Sequence, residues 1–161
     1  MIQILYTPGE GNTERMAEEI TKILPGGEWE KEIITLDTEI KPAELYLIGF
    51  GIRRNTLPFP VLQLLDQMEN KRIAFFASGA LGGVEAYKAK IESQILSFLP
   101  DSCNYQGLHL CAGKLSEDGM DFFREQLNGN EAALRQILVQ TVNHPNTADM
   151  KQLGRFIRKL L

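Results

Sequence analysis

Ile2-Gln3-Ile4-Leu5-Tyr6-Thr7-Pro8-Gly9-Glu10-Gly11-Asn12-Thr13 is the stretch on which the fold turns. Ile2 to Tyr6 is a short apolar run with strand character, and the turn residues Thr7-Pro8-Gly9-Glu10-Gly11 break it. From Asn12 onward the apolar positions Met16, Ala17, Ile20, Ile23 and Leu24 keep a helical spacing until Pro25-Gly26-Gly27 stops it. The opening unit is strand, glycine loop, helix.

The same alternation continues along the chain. Lys31 to Leu36 reads as a second strand, and Leu45-Tyr46-Leu47-Ile48-Gly49 as a third, apolar on both faces as a central parallel strand requires. A helix from Phe59 to Met68 follows, with Pro58 and Pro60 near its first turn, where a missing amide hydrogen costs little. Arg72 to Ala77 is the fourth strand, followed by Ser78-Gly79-Ala80-Leu81-Gly82-Gly83 and a helical stripe of Tyr87, Ile91, Ile95 and Leu96 that Pro100 ends. Leu108 to Ala112 reads as the fifth strand. Parallel neighbours need crossovers and helices fill them, so the pattern specifies an α/β fold: a doubly wound, five-stranded parallel sheet in three αβα layers. Three further helical pieces, Asp121 to Leu127, Glu131 to Val142 and Thr147 to Leu161, extend the C-terminal third, the last with Met150, Leu153, Phe156, Ile157 and Leu160 spaced to pack on an apolar surface. With no internal repeat, low-complexity tract or long linker, residues 1–161 are expected to form a single domain.

Composition narrows the function classes. The chain has 161 residues, 43% hydrophobic and 24% charged, with a net charge of −4, which suits a globular protein and argues against a phosphate-tracking nucleic-acid binder. Arg155, Arg158 and Lys159 read as cations at the negative pole of a helix dipole. No apolar stretch approaches the roughly 20 residues that cross a bilayer, and Met1 runs straight into the first strand without a signal-like segment, so a cytoplasmic location and no membrane partner are expected. Cys103 and Cys111 give no disulfide framework and read as free thiols.

In open parallel sheets ligands sit at the carboxyl ends of the strands, which directs attention to the loops after strands one, three and four. In the first, Gly9 and Gly11 allow close backbone approach, while Asn12 and Thr13 supply donors where exposed helix amides attract an anion. That combination is a phosphate seat. The plainer reading is a strand-to-helix turn with Asn12 or Thr13 as its cap, and the phosphate seat is preferred to it. A P-loop is excluded by the missing Gly-Lys-Ser/Thr, and a dinucleotide fingerprint by Glu14 at its third glycine position. A magnesium-binding receiver domain needs acidic residues at the end of strand one, where Tyr6-Thr7 stands.

The run Tyr6 to Glu18 resembles the signature of flavodoxins, in which this loop surrounds the phosphate of flavin mononucleotide (FMN). Leu47-Ile48-Gly49-Phe50, Ile73-Ala74-Phe75-Phe76 and Cys111-Ala112-Gly113-Lys114-Leu115 extend the resemblance to a bacterial flavodoxin-domain family, which includes the small flavodoxin-like partner encoded beside bilirubin reductase. The resemblance implies an FMN-binding electron-transfer protein or redox accessory subunit that meets a redox partner protein. Its cofactor-binding positions would be Pro8, Gly9, Glu10, Gly11, Asn12 and Thr13 in the first loop; Gly51, Ile52, Arg53, Arg54 and Asn55 in the second; and Ser78, Gly79, Ala80, Leu81 and Gly82 in the third.

Two departures stand out. Pro8 and Glu10 replace the family's usual hydroxyl residues; proline removes an amide donor, and a carboxylate at Glu10 repels a phosphate unless it points to water. The second loop lacks the aromatic residue that commonly stacks on the flavin ring, a role that Arg53 or Arg54 could take by stacking a guanidinium plane, if they are not simply solvated loop cations. These departures keep open a flavin-free module acting as a partner-binding subunit, and the fold also admits a nicotinamide-dependent FMN reductase, although no nicotinamide signature is present. The remaining chemistry-bearing residues read plainly. His109 and Cys111, with Cys103 and His144, fit no common zinc spacing, so His109 reads as a satisfied core histidine and the cysteines as inert thiols. His144-Pro145 ends a helix, Phe122 and Phe123 read as core or interface with Leu127, and no serine or cysteine is paired as a nucleophile.

Overall fold

Five strands and six helices are formed among the residues described by the computed structural model, 1–9 and 11–161. Along the chain they run β1 (Ile2–Tyr6), α1 (Asn12–Ile23), β2 (Trp29–Ile33), β3 (Leu45–Gly51), α2 (Phe59–Leu65), β4 (Arg72–Gly79), α3 (Glu85–Phe98), β5 (Asn104–Ala112), α4 (Glu117–Gln126), α5 (Glu131–Thr141) and α6 (Thr147–Leu160). The strands make one parallel sheet in the order β2-β1-β3-β4-β5. This is the flavodoxin-like winding order, with its reversal between β1 and β3.

The continuous apolar runs of β1, β3 and β4 are buried because helices cover both faces. On one face Met16, Ala17 and Ile20 of α1 and Leu153, Ile157 and Leu160 of α6 pack against Ile4, Leu47 and Phe76. On the other, Val61, Leu64 and Leu65 of α2 and Tyr87, Ile91 and Ile95 of α3 pack against Ile48, Phe50 and Phe75. Each such side chain contributes roughly 1.5–3 kcal/mol when fully buried, so these two layers hold the sheet that positions the loops.

Several boundaries differ from the sequence reading, each for a local reason. Strand β2 spans Trp29–Ile33 rather than 31–36: Ile34 still donates to Tyr6 at 2.7 Å, but the Thr35 amide then bonds Thr38 Oγ1 at 2.7 Å and turns the chain away. Strand β5 starts at Asn104, four residues early, because the polar segment before Leu108 pairs with β4 through an irregularity at which Gly107 adopts φ 128°. Helix α2 stops at Leu65, with Asp66, Gln67 and Met68 continuing in tighter turns. Leu96 is exposed, rotated off the buried stripe of α3. The capping position of α1 is Gly11, at φ 93°, with no side-chain cap bond, so neither Asn12 nor Thr13 is the cap.

Candidate functional site

The carboxyl ends of β1, β3, β4 and β5 open onto one cleft of about 300 Å³, at the small end of the range for ligand pockets. Its floor begins at the start of α1. Gly11 turns the chain into the helix in a left-handed conformation that costs an L-residue strain, which leaves the first-turn amides pointing out of the helix end. Among the described residues no backbone acceptor takes the amides of Asn12 or Thr13, whereas Arg15 already closes the first helical bond, to Gly11 at 3.0 Å. Space within 4 Å of a side chain built at Gly9 or Gly11 is open. The Asn12 carboxamide lies against Gly113, whose other neighbour is Ser78, and Thr13 Oγ1 faces Gly51, so the helix start meets the end of β3 and the loop after β5.

Three hydroxyl residues sharpen the picture. Thr7, Thr13 and Ser78 are 8%, 6% and 3% exposed and line this cleft, yet among the described residues none of their hydroxyls has a protein hydrogen-bond partner. The residues are largely buried but their hydroxyls are not among the buried atoms left without a partner, so they are open to a ligand or ordered water at the cleft surface. Free helix amides, the positive helix pole, three open hydroxyls and a carboxamide together form a donor set for an oxygen-rich anion such as a phosphate monoester. The donors suit the phosphate of FMN.

The second loop is a tight hairpin. Arg53 and Thr56 exchange backbone bonds across it, and Arg54 and Asn55 both take positive φ, 51° and 61°. Tyr87 donates to Asn55 Oδ1 at 2.8 Å and Gln94 Nε2 to the Asn55 carbonyl at 2.9 Å, which fastens the loop to α3. Burial pushes the Tyr87 phenol up to about 12, keeping it a donor throughout the physiological range. Arg54 Nη2 reaches Asp118 Oδ1 of α4 at 3.1 Å. Both partners are largely exposed, so this pair orients the loop and helix more than it stabilises them.

Of the sixteen positions read from the sequence, the cleft is lined by Pro8, Gly9, Asn12, Thr13, Gly51, Ile52, Arg53, Arg54, Asn55, Ser78, Gly79 and Ala80. Gly11 stands just behind them as the helix cap. Glu10 lies outside the described residues. Leu81 and Gly82 are placed elsewhere: Leu81 packs against the α2–α3 core, and a side chain at Gly82 would overlap the Cys111 carbonyl, so this glycine serves close packing on β5.

The loop after β5 was not singled out from the sequence, yet Gly113, Lys114, Leu115 and Ser116 line the cleft, as do Asp118, Phe122 and Phe123 of α4. Phe122 and Phe123 therefore line the cleft and lie outside the two core clusters. The strand-end rule could have found the β5 loop; the helix that returns over the cleft has no comparable sequence signal.

His109 also departs from its reading. Its Nε2 is buried without a partner, and burial lowers its pKa to about 4, with the Lys88 charge adding to the effect and Asp149 opposing it. Burial pushes the Cys111 thiol up to about 12 and raises the Cys103 thiol, so neither is a ready nucleophile. Among the described residues no three His, Cys, Asp or Glu side chains group to hold a metal, and no helix is long and apolar enough to cross a membrane.

Comparison with known proteins agrees with this geometry. A flavodoxin domain family model matches residues 3–158. The chain is 23% identical to the flavodoxin-like domain-containing protein BilS of Clostridioides difficile (strain CD3), over 98% of this chain and 94% of that one. The solution structure of two-electron reduced flavodoxin from Megasphaera elsdenii superposes with a TM-score of 0.53 at 20% identity, covering 99% of each chain. A Lactobacillus acidophilus NCFM flavoprotein, crystallised in complex with FMN, superposes with a TM-score of 0.52 at 20% identity, over 68% of this chain and 91% of that one. From its first strand to its last helix, the chain belongs to the flavodoxin domain family.

Proposed function

We propose that the protein binds FMN in the cleft at the carboxyl end of the sheet and serves as an electron carrier or redox accessory subunit in the cytoplasm, exchanging electrons with a redox partner protein. The observation that carries this reading is the cluster of unpartnered donors at the start of α1: the Asn12 and Thr13 amides with the hydroxyls of Thr7, Thr13 and Ser78. These groups would hold the phosphate, and the Gly51 to Asn55 and Ser78 to Ala80 segments would border the ring. Bound flavin supplies the one- and two-electron redox chemistry. The chain's own contribution is to fix the ring edge through loops that α3 and α4 immobilise, and to set the charge around it with Arg53 and Arg54.

The test is the ultraviolet-visible spectrum of freshly purified protein, followed by titration of the ligand-free chain with FMN and with riboflavin. A flavin spectrum and a strong preference for FMN are expected, because riboflavin leaves the phosphate donors unmet. Colourless protein that leaves added FMN fluorescence unchanged overturns the reading. It would favour a flavin-free partner-binding module, whose support in the structure is Pro8: exposed at the rim of the seat, it brings no amide there.

A further inference from the structure

Residues 7–13, 51–55, 78–83 and 113–116, the four strand-end loops, contain no aromatic side chain. A flat conjugated ring held among them would lack a stacking face. Tyr87 lines the cleft, but it is 9% exposed and its hydroxyl is fixed to Asn55, so its ring is already packed. Phe122 and Phe123 are differently placed. Both are half-buried, both line the cleft, and neither belongs to the two core clusters. Helix α4 buries none of its residues fully, so core packing does not account for two adjacent phenylalanines.

The helix that carries them is held to the site at both the local and the tertiary level. Ser116 caps it by accepting from the Gly119 amide at 2.9 Å, and Asp118 receives Arg54 from the loop after β3 at 3.1 Å. The two rings stand edge to face, centroids 5.5 Å apart and planes at 74°. In this arrangement the pair offers ring faces in two orientations, suited to offset or edge contact with a third aromatic system.

We infer that Phe122 and Phe123 of α4 supply the aromatic wall on which the flavin ring stacks in this chain, in place of an aromatic residue in the strand-end loops. This rests on the FMN reading proposed above. The ring would then be bounded by a helix that follows the last strand, with the exposed Arg54–Asp118 pair bridging that helix and the loop after β3.

The experiment titrates ligand-free protein with FMN, reading affinity and the shift of the visible absorbance band, for the native chain and for Phe122→Leu, Phe123→Leu and the double variant. Leucine keeps apolar bulk but removes the π face. The double variant is expected to bind FMN about 2- to 12-fold more weakly, the range that aromatic pairing confers beyond simple burial, with its visible band less shifted. The Phe122→Tyr/Phe123→Tyr pair, which retains both rings, is expected to keep native affinity and band shift, and it decides the matter if the leucine pair lowers the melting temperature. Native affinity and band shift in the leucine pair, or equal loss of both in the leucine and tyrosine pairs, overturns the aromatic wall while leaving FMN binding intact. Tighter binding by the leucine pair overturns it too, since the rings would then be obstructing the cleft. Native protein that binds no FMN removes the underlying reading as well, and so is a distinct result.

Discussion

The Tyr87 hydroxyl donates to Asn55 Oδ1 at 2.8 Å, so a side chain of α3 holds the apex of the loop after β3, where Arg54 and Asn55 both sit at positive φ. Tyr87→Phe removes the bond and leaves the carboxamide seeking water, at a cost of about 1 kcal/mol. Chemical denaturation should show that loss, and amide exchange should quicken over residues 52–56 while the sheet is unaffected. The phenol adds a pH signature. Burial raises its pKa from 10.0 to about 12, so the unfolded chain ionises first and native stability declines as pH rises from about 10 towards 12. The Phe variant should lack that part of the decline; an identical alkaline profile in both proteins would contradict the assignment.

A second pH dependence belongs to His109. Its pKa falls from 6.5 to about 4, chiefly through burial beside Phe156, with Lys88 lowering it further and Asp149 of α6 opposing. A depressed histidine leaves stability whole above about pH 6.5 and withdraws it as pH falls towards 4, by on the order of 3 kcal/mol at the limit. His109→Leu should flatten this acid limb. It should also leave the protein as stable at pH 7 or more so, because the native Nε2 is buried without a partner. Urea midpoints at pH 4.5 and 7 for both proteins measure the effect, and parallel falls would refute it.

How much of this could be read from the chain depends on how local each cause is. The winding of the sheet follows from apolar runs and breakers that lie within a few residues of each other, such as Ile2 to Tyr6 against Thr7 to Gly11, and it was legible. The phosphate seat was legible as composition, Gly-Asn-Thr at a helix start, but its geometry was not: Gly11 caps the helix, which frees Asn12 to reach Gly113. Strand β5 was shortened because Asn104 to Gln106 look polar, and their pairing depends on Lys71, 33 residues before Asn104. Phe122 and Phe123 were least legible. Nothing within α4 records that Arg54, 64 residues from Asp118, bridges the loop after β3 to it.

Two glycines should separate fold from site. A side chain at Gly82 would overlap the Cys111 carbonyl, so Gly82→Ala must displace backbone and should destabilise the protein by about 1–3 kcal/mol. A side chain at Gly9 meets nothing within 4 Å, and Gly9→Ala should stay within about 0.5 kcal/mol of native stability. Ligand affinity should order them the other way. Gly9 borders the proposed phosphate seat, so its added methyl should weaken FMN binding, whereas Gly82→Ala should bind normally once folded. Thermal melts and FMN titrations on the two proteins read both quantities.

The sharpest probe of the seat is a residue that touches no ligand in the proposal. A side chain at Gly113 would come within 3.0 Å of Asn12 Nδ2 and 3.1 Å of Ser78 Cβ. The Asn12 carboxamide ends a flexible side chain and can yield, but Ser78 Cβ is fixed to the buried strand β4, so Gly113→Ala should cost about 1–3 kcal/mol of stability. Displacement of the carboxamide moves a donor away from the phosphate. The variant should therefore lose FMN affinity while its weaker affinity for riboflavin, which has no phosphate, stays constant, so the ratio of the two falls. Asn12→Ala should reproduce the part of the fall that acts through the carboxamide, and any further loss on combining the two changes measures what the Gly113 methyl does to Ser78. An unchanged ratio in Gly113→Ala and Asn12→Ala would mean that Asn12 does not hold the anion, and the phosphate would have to rest on the helix amides and the hydroxyls of Thr7, Thr13 and Ser78 alone.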